Sequence, residues 1–315
     1  MLIAEAVLAD GRTIRVRTAD AADAAEIVRL VRSAFGHRPP VDPPAAGLSD
    51  TVASVRDRLI DGFGLIAEVA GAPVASMLVE VREGAARLTR VSVDPTAQRL
   101  GIATLLVNAV LDLLALRGAT TVDVEARVEF GYIAAWWGRH GFVPVGGGAH
   151  TLLLRRALPV VAEAATADEM QALGRRLAGL LVAGDVIIAS GDLGAGKTTL
   201  TQGIGAGLNV GGPVISPTFV LSRVHPPLAE GPALVHVDAY RLGSFGELED
   251  LDLEASLAES VTLVEWGAGI AEGLGPERLE IDIRRGLDPE DETRLVFLTA
   301  LGPRWAGIDL NEVTR

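Results

Sequence analysis

One short segment restricts the possible folds of this chain more than any other. The apolar run 185–190 leads directly into Gly-Asp-Leu-Gly-Ala-Gly-Lys-Thr at 191–198, which has the G-x-x-x-x-G-K-T spacing of a phosphate-binding loop. Such a loop lies between a buried strand and a helix, because its backbone N–H groups and the helix N-terminus together attract phosphate. The segment therefore predicts an α/β sheet that binds a nucleotide where this strand ends.

Lys197 in this segment is the only lysine of the chain, and the other 27 basic side chains are arginines. An ammonium is a compact point charge, whereas a guanidinium is a wide planar fork. Only the compact group fits between the β- and γ-phosphates of a nucleotide wrapped by backbone N–H groups. We therefore expect Lys197 to contact phosphate and the Thr198 hydroxyl to bind Mg²⁺. A glycine-rich turn that merely matches the pattern is the alternative, and the strand–loop–helix context disfavours it.

Two further apolar segments, 233–238 and 261–265, end in Asp238 and Glu265. The carboxyl ends of parallel strands share one edge of a sheet, where ligands of open α/β folds bind. Both acids are therefore expected beside the loop, as groups that hold the metal and position water, although each alone is equally compatible with a helix cap or a solvated strand end. The Ser-Pro-Thr-Phe segment at 216–219 is either a loop that senses the γ-phosphate or an ordinary turn.

Composition narrows the class of protein and its partners. The net charge is −13 and the pI is about 4.9, so the chain repels a phosphate backbone and any contact with nucleic acid is expected to run through partners. Cysteine is absent, and the five histidines lack the spacing of a zinc site. The start does not resemble a signal peptide, and no apolar segment is long enough to span a bilayer. We therefore expect a cytoplasmic protein with no membrane role.

The 315 residues contain two α/β patterns in series. The second pattern opens with Thr-Ala-Asp-Glu at 166–169, a capping box that begins a helix. We place the boundary in the segment 155–159, which predicts one domain over residues 1–157 and another over residues 158–315.

The motifs of the second pattern occur in a specific order. The phosphate loop and Ser-Pro-Thr-Phe are followed by His-Val-Asp-Ala-Tyr-Arg-Leu at 236–242, Glu-Leu-Glu at 247–249 and Val-Glu-Trp at 264–266. This set resembles the bacterial TsaE family over about residues 160–300. The resemblance implies a P-loop NTPase three-layer α/β fold. It also implies a Mg²⁺-ATPase that supports threonylcarbamoylation of the tRNA adenosine next to the anticodon, with TsaD and TsaB as the partners that hold the tRNA.

The same resemblance implies roles for individual residues. Thr198 and Glu265 would hold Mg²⁺, Lys197 and Asp238 would act in hydrolysis, and Trp266 would respond to nucleotide or partner. Met170 stands where the family has a threonine near the nucleotide, which affects contacts to adenine and not the phosphate chemistry. The implied ATP-binding residues are Asp192, Leu193, Gly194, Ala195, Gly196, Lys197, Thr198 and Thr199, and the implied switch residues are Ser216, Pro217, Thr218 and Phe219.

The first pattern contains a second arrangement that suits phosphate. A strand at 88–93 leads into Gln-Arg-Leu-Gly-Ile-Ala at 98–103, which opens a helix ending near Leu116. The Q-x-x-G-x-A pattern aims backbone N–H groups and a helix dipole at phosphates. A strand at 121–125 and the segment Trp-Trp-Gly-Arg-His-Gly-Phe at 136–142 follow.

These segments resemble the GNAT N-acetyltransferases over about residues 12–157, and they look closest to members that acetylate protein N-termini. The resemblance implies a mixed α/β sheet domain that binds acetyl-CoA and transfers the acetyl group to an amine. It implies that Glu125 is the catalytic base, with a solvent-facing strand carboxylate as the equal alternative. The implied acetyl-CoA-binding residues are Val91, Ser92, Val93, Gln98, Arg99, Leu100, Gly101, Ile102, Ala103 and Thr104.

Trp137 departs from that family, which usually has a tyrosine here whose phenol protonates the coenzyme A sulfur. An indole N–H donates a hydrogen bond but is not an acid at neutral pH. Phe130 also replaces an asparagine common in the family, and Tyr132 is either a substitute acid or a packing residue. We therefore expect acetyl-CoA binding, and the acetyl transfer itself stays open.

Three functions are compatible with these residues. The first is a bifunctional protein, an ATPase joined to an acetyltransferase of unknown acceptor. The second is a nucleotide-switched regulatory module whose first domain binds acetyl-CoA without turnover. The third is a small-molecule kinase, which the absence of an arginine-rich lid in the sequence and the ordered TsaE motifs disfavour.

Overall fold

The computed structural model describes residues 1–8, 10–286 and 292–315. The chain divides into two compact units, Met1–Leu158 and Pro159–Arg315, and each unit contains its own β-sheet. Among the helices in these described ranges, none is both long and apolar enough to cross a membrane.

The first unit is an eight-stranded mixed sheet with helices packed against it. Its strands are β1 (Leu2–Val7), β2 (Thr13–Ala19), β3 (Phe63–Val69), β4 (Ala72–Arg82), β5 (Ala85–Val93), β6 (Thr121–Arg127), β7 (Val143–Gly147) and β8 (Thr151–Ala157). Its helices are α1 (Ala24–Gly36), α2 (Val52–Asp61), α3 (Ile102–Leu116) and α4 (Gly131–Gly138). The strand order is β1-β2-β3-β4-β5-β6-β8-β7, and every neighbouring pair is antiparallel except β5 and β6.

The parallel pair of strands separates at one end. Pairing of β5 with β6 stops at Leu88 and Val124, although β5 continues to Val93 and β6 to Arg127. A bulge against β4 begins just beyond this point, with Arg90 at φ 54°, and bulges bend the strand that carries them. On the side of β6, the last residues of β5 therefore face a gap instead of a neighbouring strand.

Strand alternation explains how the sheet of the first unit is covered. Ile66 on β3 packs in a cluster with α1 and α2, together with Leu78 of β4. Its neighbour Leu65 points to the opposite face because successive side chains of a strand alternate. Helix α3 contacts strands β1 to β5 and buries its apolar side, including Leu106 and Leu114.

The second unit is a seven-stranded sheet of order β11-β12-β13-β10-β14-β15-β9. Its strands are β9 (Val160–Ala164), β10 (Val186–Gly191), β11 (Ser222–His225), β12 (Ala233–Asp238), β13 (Ser260–Glu265), β14 (Arg278–Arg285) and β15 (Arg294–Leu301). Its helices are α5 (Ala167–Ala178), α6 (Lys197–Gly207), α7 (Phe245–Glu249) and α8 (Glu254–Leu257). Strands β12, β13, β10 and β14 run parallel, so their carboxyl ends lie along one edge of the sheet.

This sheet is packed on both faces. Ile187 and Ala189 of β10 belong to the apolar cluster that contains α5 and α6, whereas Ile188 between them belongs to the cluster on the α7 side. The strand is apolar at successive positions because both faces are covered, as expected for a buried parallel strand. The predicted class, two α/β domains with a three-layer second domain, is confirmed.

Candidate functional site

The loop from β10 to α6 depends on glycine at two points. Gly191 ends the strand at φ 139°, and a Cβ atom there would lie 2.4 Å from the backbone oxygen of Ile283 on the neighbouring strand. Gly196 immediately precedes α6 at φ 110°, a left-handed conformation that side chains disfavour. The spacing of the motif therefore reflects backbone geometry, and Lys197 becomes the first residue of the helix.

The Lys197 side chain folds back over this loop. Its Nζ atom donates hydrogen bonds to the backbone oxygens of Gly191 at 2.7 Å and Asp192 at 3.0 Å, and it lies 3.7 Å from the centre of the Trp266 ring. Burial lowers the pKa of Lys197, and the negative charges of Glu265 and Asp238 oppose that shift. Carbonyl oxygens and an aromatic face stabilise a cation only moderately, so a phosphate can replace them.

Glu265, at the end of β13, connects the helix to the sheet edge. Its carboxylate oxygens accept from the Thr198 hydroxyl at 2.9 and 3.1 Å, although Glu265 is only 3% exposed. The Nε2 atom of fully buried His236 lies 2.8 Å from the same carboxylate. The sequence places His236 in the motif 236–242 but assigns it no role at the site. Its position two residues before Asp238 on one strand was the available signal, because such residues share a face.

Asp238, at the end of β12, holds the Ser-Pro-Thr-Phe segment. Its Oδ2 atom accepts from the hydroxyls of Ser216 at 2.8 Å and Thr218 at 2.6 Å, and Oδ1 accepts from the backbone N–H of Tyr240 at 3.0 Å. Phe219 points away and is 85% exposed, with the guanidinium of Arg241 4.9 Å from its ring centre. The carboxylate therefore connects this loop to the sheet edge.

A cavity of about 510 Å³ brings most of these residues together. Tyr240 also lines it, with its ring centre 5.2 Å from that of Trp266 and tilted by 60°, and was not predicted as a site residue. A smaller adjoining cavity of about 200 Å³ is lined by Met170 and by Ala195 of the loop. The predicted residues that line the larger cavity are Leu193, Gly194, Gly196, Lys197, Thr198, Thr199, Ser216, Thr218, Asp238, Glu265 and Trp266, whereas Asp192, Pro217 and Phe219 do not line it.

The turn before α3 in the first unit has a related backbone. Gly101 precedes the helix at φ 79° and Arg99 lies at φ 66°, so the chain enters α3 with backbone N–H groups at the helix start. The Gln98 side-chain amide donates to the backbone oxygen of Val93 at 3.4 Å, which links this turn to the end of β5. The remaining residues of the predicted acetyl-CoA set, Ser92, Leu100, Ile102, Ala103 and Thr104, lie on these same elements.

A cavity of about 550 Å³ lies where β5 and β6 separate, and Val91, Glu125 and Trp137 line it. Glu125 is about half exposed and forms an ion pair with Arg87. Trp137 is 3% exposed, with its edges against the rings of Trp136 and Phe142, so it is a packing residue that lines the cavity wall.

Phe130, the other departure from the family pattern, and Tyr132, the candidate substitute acid, differ in exposure. Phe130 is buried and lines the same cavity as Trp137. Tyr132 is 65% exposed, does not line the cavity, and only its ring approaches Phe130, at 6.1 Å between centres. Tyr132 is therefore a surface residue, and it interacts electrostatically with Arg38 of the cavity wall.

Both halves of the sequence match known families. Residues 164–294 match the family described as threonylcarbamoyl adenosine biosynthesis protein TsaE, and residues 29–142 match the acetyltransferase (GNAT) family. A Streptomyces coelicolor relative named tRNA threonylcarbamoyladenosine biosynthesis protein TsaE is 59% identical over 144 residues. The aligned part is 45% of this chain and 97% of the relative.

Solved structures resemble each half. Bacillus subtilis YdiB shares 32% identity at a TM-score of 0.38, covering 47% of this chain and 88% of its own. The PaiA N-acetyltransferase of Thermoplasma acidophilum, solved with coenzyme A, shares 11% at a TM-score of 0.41, covering 46% and 98%. Membership rests on the sequence match, which spans almost the whole Streptomyces coelicolor relative. The chain therefore belongs to the TsaE family of tRNA threonylcarbamoyladenosine biosynthesis proteins, and residues 29–142 of its N-terminal half match the GNAT acetyltransferase family.

Proposed function

We propose that residues 158–315 form a Mg²⁺-dependent ATPase that acts in tRNA threonylcarbamoylation together with TsaD and TsaB. The observation that supports this most strongly is the contact of the Thr198 hydroxyl with the Glu265 carboxylate at 2.9 Å. Lys197 and Asp238 line the same cavity, so a cation, a hydroxyl and two acids converge where the phosphate loop ends. These are the groups that phosphoryl transfer to water requires.

The donor set fits Mg²⁺. Thr198 and Glu265 offer hard oxygen ligands, and Mg²⁺ in nucleotide sites takes one or two protein oxygens and completes its shell with phosphate and water. In the described part of the chain, no group of three or more His, Cys, Asp or Glu side chains could hold a metal, which is consistent with a metal that binds together with its nucleotide. Bound there, Mg²⁺ would neutralise charge on the β- and γ-phosphates.

The protein side chains would then act as follows. Lys197 exchanges the backbone oxygens of Gly191 and Asp192 for phosphate oxygens. The γ-phosphate competes for the hydroxyls of Ser216 and Thr218, which releases the Asp238 carboxylate to orient water. The Ser216–Phe219 segment thereby reports the nucleotide state to a partner. Because the net charge is −13, contact with tRNA is expected through TsaD and TsaB.

The test is phosphate release by the full chain with Mg-ATP, compared with Glu265→Gln. Loss of hydrolysis with unchanged thermal unfolding supports the site, and hydrolysis at the wild-type rate in the variant contradicts it. Co-purification of TsaD and TsaB with and without ATP tests the partners separately. Phosphate that appears on a small acceptor instead of in solution would favour the kinase hypothesis.

For residues 1–157 we propose that acetyl-CoA binds along the free edge of β5 and the turn at 98–104, and that its acetyl group passes to an amine with Glu125 as base. The gap beside Val91–Val93 and the cavity that joins it to Glu125 support this placement.

A second candidate is an acetyl-CoA-binding module without turnover, and two contacts favour it. Trp137 is packed among aromatic rings and has no acidic proton to donate, and Glu125 is already paired with Arg87. Calorimetry with acetyl-CoA, run beside an acetyl-transfer assay on peptide amines, separates the candidates. Binding without transfer supports the module, and robust transfer supports the enzyme.

A further inference from the structure

The cavity between β5 and β6 carries an unusual balance of charge. Four arginines line it, Arg38, Arg87, Arg90 and Arg127, but among the residues that the structure describes Glu125 is the only acidic one that does so. Three of these arginines have a carboxylate of their own: Arg87 pairs with Glu125, Arg90 with Asp50, and Arg127 with Glu129.

Arg38 is the exception. Its guanidinium lies 4.5 Å from the centre of the Phe35 ring, and no carboxylate within the described residues comes within ion-pair distance of it. Burial lowers the pKa of Arg38, because the half-buried cation loses hydration, and its electrostatic interaction with Tyr132 opposes that shift only in part. An uncompensated charge beside a cavity is costly, and an anion that enters the cavity would remove the cost.

The wall that carries Arg38 is held in place. Arg38 opens a loop that contains Pro39, Pro40, Pro43 and Pro44, and these four residues line the cavity. Proline restricts the backbone of such a loop. The Arg127 guanidinium, already paired with Glu129, also donates to the backbone oxygen of Asp42 at 3.1 Å. The charge of Arg38 is therefore presented from an ordered surface, which limits the entropy lost on binding.

The position of this charge indicates which reactant carries the anion. The cavity is lined by Val91, Glu125 and Trp137, which are the residues that the proposed binding of acetyl-CoA places around the reacting thioester. The phosphates of acetyl-CoA are proposed to bind at the turn 98–104, and none of those residues, all of them described, lines this cavity. Arg38 thus lies on the side of the acceptor and is free to bind an anionic group of that molecule.

We infer that the acetyl acceptor is a primary amine that carries its own carboxylate, and that Arg38 binds this carboxylate. The inference rests on the proposed acetyl transfer. The amine nitrogen forms a C–N bond to the acetyl carbon as the C–S bond breaks. The proton that the nitrogen loses ends on the sulfur, so the products are an N-acetylated carboxylate and free coenzyme A. A guanidinium suits this ligand because its fork can donate two parallel hydrogen bonds.

The test compares amines that differ only in the carboxylate. Alanine with alaninamide, β-alanine with β-alaninamide, and Ala-Asp-amide with Ala-Asn-amide are assayed with acetyl-CoA and the full chain by release of the coenzyme A thiol. The variants are Arg38→Gln and, as a matched loss of charge outside the cavity, Arg56→Gln on α2. The preference is the ratio of the activity with the carboxylate member of a pair to the activity with its partner. Because both proteins are assayed with the same two amines, comparing this ratio between wild type and variant removes the effect of their different basicities.

We expect wild type to prefer the carboxylate member of at least one pair, and Arg38→Gln to reduce that preference about tenfold or more through KM. Arg56→Gln and the KM for acetyl-CoA should not change. A preference that survives in Arg38→Gln, no preference in wild type, or an effect confined to the KM for acetyl-CoA would overturn the inference.

A failure of the acetyl transfer itself is recognisable separately. If no amine releases coenzyme A, the same pairs are titrated by calorimetry into the protein loaded with acetyl-CoA. About tenfold weaker binding of the carboxylate members to Arg38→Gln than to wild type supports the role of Arg38 in a non-catalytic site. Equal binding to both proteins, or binding to neither, contradicts it.

Discussion

The turn before α6 and the turn before α3 begin their helices in the same way, with a left-handed glycine at Gly196 and at Gly101. Around the first turn, Asp238 and Glu265 from the ends of separate strands line one cavity with Lys197 and interact with its charge. Around the second turn, the Gln98 side-chain amide donates a hydrogen bond to the backbone oxygen of Val93. A helix start is sufficient to attract phosphate, but cleaving a phosphate bond needs charged groups that converge. The comparison predicts catalysis at the first turn and binding at the second.

The largest effect is expected at Lys197. Lys197→Ala should reduce Mg-ATP hydrolysis about a thousandfold, because a preorganised charge on the transferring phosphate is lost. Lys197→Arg should reduce the rate of hydrolysis nearly as much, since the planar guanidinium does not fit the loop that holds the ammonium. Phosphate release under single-turnover conditions measures both.

The matched control for Lys197 is Arg175→Ala on the exposed side of α5, which removes one positive charge outside the cavity. Its hydrolysis rate should equal that of wild type. Activity retained in Lys197→Arg would show that charge alone is sufficient, and the argument from shape would be wrong.

The next effect is expected at His236, a positioning residue for Glu265. His236→Phe removes the imidazole partner of the buried Glu265 carboxylate and leaves only the Thr198 hydroxyl to orient it, so the Mg²⁺ concentration that half-activates hydrolysis should rise about 10- to 100-fold. His236→Gln retains a side-chain N–H donor and should recover part of the loss. A shift in the unfolding temperature without a shift in the Mg²⁺ midpoint would indicate a merely structural role.

A smaller gain is expected at Trp137 in the other half. Trp137→Tyr places a phenol on the cavity wall, so acetyl transfer should increase about tenfold or more if the missing acid limits turnover. Trp137→Phe is the control, because it makes a similar change in size without an acidic proton. Equal rates in the two variants would show that the acid is not what limits this half.

The smallest effect is expected at Gly101. Gly101→Ala meets no atom within 4 Å, so its only cost is a left-handed backbone at φ 79°, about 1 kcal/mol of unfolding free energy. Chemical denaturation should report that loss. The affinity for acetyl-CoA should fall only slightly if the backbone stays in place, and a collapse of binding would show that the turn had rearranged.

Local patterns predicted the elements of both halves well. The run ending at Gly191 had to be a buried strand, because it is apolar at successive positions and a glycine-rich loop follows it. Asp238 and Glu265 were expected at one sheet edge from strand direction alone, and the structure pairs them directly across β12 and β13. The contact of His236 with Glu265 was not predicted, because which buried side chains meet across two strands depends on their register and packing and not on strand direction.

The same limit applies in the first half. The identity of Trp137 was enough to predict that a proton donor is missing, because that is a property of the side chain itself. The neutralisation of Arg90 by Asp50 joins residues 40 positions apart, and the isolation of Arg38 is visible only when every neighbour of the cavity is known.

Strand, loop and helix follow from the order of residues, because glycine conformations, apolar runs and helix starts depend on neighbours along the chain. Family membership follows in the same way, from motifs in sequence order. Which charges meet is decided by the tertiary structure, because electrostatic partners are set by distance in space and by burial. The chain as written contains one lysine and 27 arginines, but only the fold shows that Lys197 lies among acids and that Arg38 forms no ion pair with any acid of the described residues.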